Sequence, residues 1–263
     1  MEVILLTLII SLIGLFVGGF INAMILRNQK SLPLTGRSRC LVCEEPIQGA
    51  DLIPIVSYVL LKGRCRHCAA SIEWQYPVLE LFTGIIFALF FIQAFIGHNF
   101  PAFVNDGNWL LFLTRNLVIA TFLLILLVYD SRYFIIPDKF SLPPIILAIL
   151  FNISLGADVS WLLLGGLLIG FFFAFQFLIS SGRWIGAGDI RLGLLTGFLL
   201  GPLYGAAAIV LAYILGALIG LLLIILKQKT WYDYMPLGSF IAIGNILMML
   251  WGPRIIEWYF GFF

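Results

Sequence analysis

Charge is what this chain has least of. Its 263 residues include 15 Lys and Arg, 13 Asp and Glu and 2 His, so charged side chains make up 11% against 62% apolar ones. Soluble domains carry about 25% charged residues, so a soluble fold that hides this much apolar surface in one core is excluded. A mean hydropathy of +1.09 agrees, and the composition predicts an all-α polytopic membrane protein. The 2 histidines, His67 and His98, are isolated and are expected at solvated loop positions. Cysteine is scarce as well: all 4 lie in one polar segment, as Cys40-x-x-Cys43 and Cys65-x-x-Cys68. Two such pairs 21 residues apart have the spacing of a four-thiolate zinc site. A disulfide pair would use the same residues, and the compartment decides between them.

What the chain does have is long apolar runs. Val3–Leu26 reads as a retained first span, because no basic residue precedes it and no small-residue cleavage pattern follows it. Residues 27–76 form the one sizeable extramembrane segment, and residues 77–263 form a helical membrane domain. Within that domain, spans are expected at 77–97, 109–129, 140–155, 161–179, 190–200, 205–226 and about 235–251, giving about eight transmembrane helices in all. Threading the chain through eight spans puts every Lys and Arg except Arg115 and Arg254 on one face. By the positive-inside rule that face is cytoplasmic, and both termini are expected outside. The cysteine segment then lies where thiols stay reduced. That favours a closed structural zinc site, which would fold a segment too short to bury a core of its own.

Two acids stand out against this background. Asp130 ends an apolar run, and Asp189 opens another after Gly186-Ala187-Gly188. An ionised carboxylate in hydrocarbon costs about 2.5–3.5 kcal/mol at a span centre, less near an interface. Each acid has an Arg two residues on, Arg132 or Arg191, so simple ion pairing at the interface is the bland explanation. The small residues before Asp189 and the Ile136-Pro137-Asp138 turn after Asp130, where Pro137 is expected to break the helix, favour another. If the helices meet, two carboxylates can share one proton and activate water for peptide hydrolysis. Glycines 193, 197, 201 and 205, with Gly166-x-x-x-Gly170 and Gly216-x-x-x-Gly220, predict close helix packing around the Asp189 segment.

The ordered motifs resemble bacterial type IV prepilin peptidases of the GxGD aspartyl protease class. The resemblance runs through Gly19-Phe20-Ile21-Asn22, Arg39-Cys40-Leu41-Val42-Cys43, Asp51 to Ser57, Gly63 to Cys68 and Tyr76 to Glu80. It continues at Asp130 with Ile136-Pro137-Asp138, at Gly186 to Leu192, and at Met235 to Phe240. It departs at Arg191, where Lys is usual, at Gly19, where Ser is common, and at Leu237 and Ser239 in a late Pro-x-Gly-Pro-like segment. The resemblance implies cleavage of the basic leader of prepilins and pseudopilins of type IV pili and type II secretion, at the cytoplasmic face of the inner membrane. It implies Asp130 and Asp189 as the catalytic pair, and N-methylation of the new terminus with S-adenosylmethionine as donor. No glycine-rich methyl-donor fingerprint is present, so the methyltransferase expectation rests on the resemblance, with Glu80 as its candidate cofactor-binding residue.

The expected partners are the prepilin substrate and membrane lipid, with no nucleic acid. Three other residues have bland alternatives: Glu80 can snorkel, Asn22 can bond a neighbouring helix, and Asp138 can cap one. Arg115 is expected to snorkel outward. A transporter using both acids as a proton or cation relay is the competing class. It leaves the cysteine module unexplained.

Overall fold

The computed structural model describes residues 2–33, 36–97, 108–231 and 233–261, so His98 lies outside the described residues. These contain α1 (Glu2–Gln29), α2 (Val56–Leu60), α3 (Gln75–Ile92), α4 (Trp109–Tyr133), α5 (Asp138–Ser154), α6 (Val159–Ser180), α7 (Ala187–Ile225) and α8 (Leu237–Phe260). A 3₁₀ turn spans Gly49–Leu52, a π-helical turn follows α3 at Gln93–Gly97, and no strand occurs among the described residues. All of these helices except α2 and α5 are long and apolar enough to cross a membrane. With 17 residues, α5 sits at the short limit of about 17–25. Side-chain direction fits a lipid solvent: on α6, Leu163, Leu167, Phe171 and Leu178 are exposed, while Gly165, Gly166, Ile169 and Phe173 are buried.

The chain forms two compact units, Met1–Ile92 and Gln93–Phe263. In the first, α1 and α3 run antiparallel and touch through glycine. A Cβ on Gly18 would lie 2.6 Å from Glu80 Cα, and one on Gly14 would lie 2.9 Å from Gly84 Cα. Asn22 donates to the Tyr76 carbonyl at 3.3 Å and accepts from Gln75 at 3.2 Å, so it bonds a neighbouring helix as expected.

The second unit is built around a break in α7. Gly201 has φ 73° and ψ 179°, a backbone region that is essentially glycine-only. A Cβ on Gly205 would lie 3.4 Å from the carbonyl of Thr196, nine residues earlier, whereas nine residues of straight helix rise about 13.5 Å. The chain therefore folds back at Gly201-Pro202. Residues 187–200 run against α6, with Gly197 on Gly165, and residues 202–225 return against α8, with Gly216 facing Phe240. Counting these halves separately gives eight apolar helical segments, close to the expected number and boundaries.

A helix that stops inside hydrocarbon leaves carbonyls without partners. Here they are met by side chains. Asn152 donates to Phe198 O at 2.7 Å and to Leu199 O at 3.1 Å, and Arg115 donates to Leu199 O at 2.6 Å. Arg115 is 1% exposed, which overturns the expectation that it snorkels: the negative end of the broken helix draws the cation inward. A parallel case lies in α8, where Pro253 has no N–H for the Met249 carbonyl, and Gln93 donates to it instead at 2.8 Å.

Gly201→Ala is expected to lower the thermal unfolding midpoint in detergent. The φ/ψ it imposes costs about 1–3 kcal/mol, and its Cβ would meet Trp161 Nε1 at 2.7 Å. Gly220→Ala, whose Cβ meets only Met235 Cε at 3.8 Å, is expected to unfold like the parent.

Candidate active site

Asp130 lies one turn inside α4, not at its end. The helix runs on to Tyr133 and is closed by Phe134 in the left-handed region, φ 54°, three residues before Pro137. The expectation that Pro137 ends this helix is corrected accordingly. The Asp130 side chain crosses to the first turn of α8, where its Oδ2 accepts from the Ser239 N–H at 2.6 Å and the Ser239 hydroxyl at 3.1 Å. A helix start presents unpaired N–H groups and a positive dipole end, so a carboxylate is well placed there. Gly238 makes the approach possible, since a Cβ would stand 3.0 Å from Asp130 Oδ2 and 2.8 Å from Ile136 Cδ1.

Asp189 is in the first turn of α7. Its N–H donates to Gly186 O at 3.1 Å, and its Oδ2 accepts from the Gly186 N–H at 2.9 Å, so the carboxylate folds back over its own helix start. Gly188 leaves room for a neighbour, which proves to be a side chain: a Cβ there would stand 2.6 Å from Ile136 Cβ. Both acids are buried, at 6% and 7% exposure. Both line one cleft of about 210 Å³, together with Ile136, Gly186, Gly188, Trp184, Tyr234 and Leu237.

Among the described residues neither acid has a cationic partner. Arg191 turns away from Asp189 and forms an ion pair with Asp138, with further bonds to Ile136 O and Ser141 Oγ at 3.3 Å each. Arg132 is exposed. The pairing of Asp189 with Arg191 that adjacency in sequence suggested is therefore excluded.

The first unit holds the cysteines. Cys40, Cys43, Cys65 and Cys68 have their sulfur atoms all within 4.8 Å of one another. Tetrahedral thiolates with metal–sulfur bonds of about 2.3 Å stand roughly 3.8 Å apart, and Cys40 and Cys68 are 3.8 Å apart. The four residues fit a metal ion. Each pair forms the same knuckle: Cys40 N–H on Glu45 O with Glu44 at φ 59°, and Cys65 N–H on Ala70 O with Ala69 at φ 53°. Backbone N–H groups of Cys43 and Val42 pull the Cys40 thiol down to about 6, while, against the Glu45 N–H, burial and the neighbouring sulfurs push Cys43 up to about 12, as crowded thiols without a cation must behave. Asp51 and Arg66 brace the second knuckle with a forked ion pair, and the Arg66 guanidinium holds the Asp51 carboxyl below the usual range.

Glu80 is half-buried. Its Oε2 accepts from the Ile55 N–H at 2.7 Å, holding a β-branched residue at φ 61°, ψ −48°, where strain of about 1–3 kcal/mol is normal. No described residue donates to its other oxygen. Ser239 serves the cleft and Ile55 the Glu80 site, and no spacing in the sequence reveals either contact.

Two acids on one cleft, with no cationic partner among the described residues, are the arrangement that an intramembrane aspartyl hydrolase requires. Residues 12–94 match the model of the bacterial peptidase A24 N-terminal domain, and residues 117–221 match that of the type IV leader peptidase family. The chain is 31% identical over 256 residues to the prepilin leader peptidase/N-methyltransferase of Bacillus subtilis, covering 95% of this chain and 96% of that one. It is 31% identical over 229 residues to the Aeromonas salmonicida protein of the same name (85% and 74%), and 26% over 281 residues to that of Pseudomonas aeruginosa (95% and 92%). The chain belongs to the type IV leader peptidase family. No solved structure matches it with significance.

Metal analysis of the purified protein is expected to give one ion per chain. Serine in place of Cys43 or Cys68 should abolish that stoichiometry and expose the knuckles to proteolysis, whereas alanine in place of His67 should not.

Proposed function

We propose that this chain is a prepilin leader peptidase and N-methyltransferase of the bacterial inner membrane, with Asp130 and Asp189 as its hydrolytic pair. The observation that carries this reading is that both acids line one cleft and neither has a cationic partner among the described residues. Peptide hydrolysis then runs on one shared proton. The ionised carboxylate takes a proton from a water molecule as the water oxygen attacks the scissile carbonyl carbon, and the protonated partner donates to the carbonyl oxygen. As the tetrahedral intermediate collapses, the C–N bond breaks, the departing nitrogen takes up the proton held by the first acid, and one hydroxyl of the intermediate returns its proton to the second acid as the carbonyl re-forms. The two acids titrate as a pair, so neither is assigned one fixed state.

The distribution of Lys and Arg supports placing the cleft at the cytoplasmic face with both termini outside. A prepilin has a basic leader followed by an apolar helix. It would halt with its cleavage point at that interface, beside the acids. Zinc suits the four thiolates in a structural role, because a closed tetrathiolate site has no open position for water. For methyl transfer, the second oxygen of Glu80 is a fitting partner for the cationic donor S-adenosylmethionine, which supplies the methyl group when bound. The relatives give the transporter alternative no support.

Incubating the purified protein with a prepilin and S-adenosylmethionine, then weighing the intact product, tests both activities. The expected product has lost its leader and gained one methyl group, and an unshortened prepilin would refute the peptidase reading. Asp130→Asn and Asp189→Asn should each reduce cleavage by about 10²–10⁴-fold with bound metal retained. Glu80→Gln should spare cleavage and lower methyl transfer to a pilin supplied already cleaved.

A further inference from the structure

The Ile136 side chain meets the starts of both α7 and α8, whose N–H groups bond the two acids. Its Cβ fills the space where a Gly188 side chain would go, 2.6 Å from that Cβ position, and its Cδ1 lies 2.8 Å from the Cβ position of Gly238. Gly188 precedes Asp189 directly, and Gly238 precedes Ser239, which holds Asp130. The wedge stands on the turn between α4 and α5, six residues after Asp130. What grips that turn is Arg191. Its Nη1 reaches the carbonyl of Ile136 itself, the carboxylate of Asp138 and the hydroxyl of Ser141. All three oxygens belong to the chain that follows Asp130, and the guanidinium comes from the helix that carries Asp189.

We propose that Arg191 is a positioning residue for the peptidase reaction: by holding the Ile136 wedge between Gly188 and Gly238, it sets the distance at which Asp130 and Asp189 face each other. This rests on the reading of those two acids as the hydrolytic pair. Arg191 bonds neither acid, so its effect is one of geometry, exerted through the backbone of residue 136. Stability is not its main contribution, because the Asp138 side chain is 68% exposed and a solvated ion pair adds little to folding. A Lys ammonium, with three donors on one atom, can reach the same three oxygens, so the clamp needs a cationic donor and not a guanidinium in particular.

The test uses the full chain in detergent. Arg191→Met is expected to lower kcat for prepilin cleavage by about 10²-fold, as a misplacement near 1 Å does, with KM within about twofold. Metal content and methyl transfer to a cleaved pilin should be unchanged, and Arg191→Lys should restore most of the cleavage. A second measurement does not depend on activity. Cysteines replacing Asp130 and Asp189 are joined by a short thiol cross-linker, and the linked peptide is read by mass spectrometry with and without Arg191→Met. Loss of the link on removing Arg191 is the expected result. A link that forms equally well without Arg191, or an Arg191→Met enzyme whose kcat matches the parent, overturns the proposal. Failure of the pair to link while Arg191 is present would instead refute the paired-acid reading on which it stands.

Discussion

Both acids of the cleft are held by peptide N–H groups at a helix start and not by opposite charge. Asp130 takes the N–H of Ser239 in the first turn of α8, and Asp189 takes that of Gly186 at the head of α7. The distinction matters chemically. Amide N–H bonds also favour an ionised carboxylate, but a full opposite charge would favour it more strongly than the few N–H bonds here do. It also fixes the architecture, because two helices must begin at one level beside α4. The glycines at 188 and 238 are what let Ile136 and Asp130 reach those starts.

Bringing α7 to that level has a consequence deeper in the unit. The segment after Asp189 turns back at Gly201 and leaves carbonyls facing hydrocarbon, which no lipid can satisfy. Asn152 from α5 and Arg115 from α4 reach them, while Asn245 from α8 bonds Thr196 within the same half-helix at 2.8 Å. Polar side chains in the bundle thus repair the backbone of a broken helix, and they do so on the helix that carries Asp189. The glycine face of that half-helix against Gly165 closes the packing on its other side.

The N-terminal unit obeys a different constraint. Its polar segment has few apolar residues to bury, and two knuckles of the same construction bring four sulfur atoms to one point, where an ion can do what a core does elsewhere. Glu80 on α3 adds a second tether by holding the strained Ile55 turn. A half-buried acid with one oxygen committed to the fold and the other unbonded joins a structural duty to the proposed recognition of a cationic donor.

Much of this molecule is legible in one dimension because its strongest terms are local. Scarcity of charge, the length of apolar runs and the placing of Lys and Arg follow from transfer free energies that each segment obeys on its own. Cysteine spacing is set by the reach of a short knuckle. Gly201-Pro202 marks a break for the same kind of reason. Partner choice among polar groups is not local, and there adjacency misleads. Arg191 lies two residues from Asp189 yet bonds Asp138, and Arg115 lies buried on a carbonyl supplied by α7. Ser239 meets Asp130 across 109 positions. Those pairings arise only when packed helices exclude water and every remaining donor must find whichever acceptor the tertiary structure has put within reach.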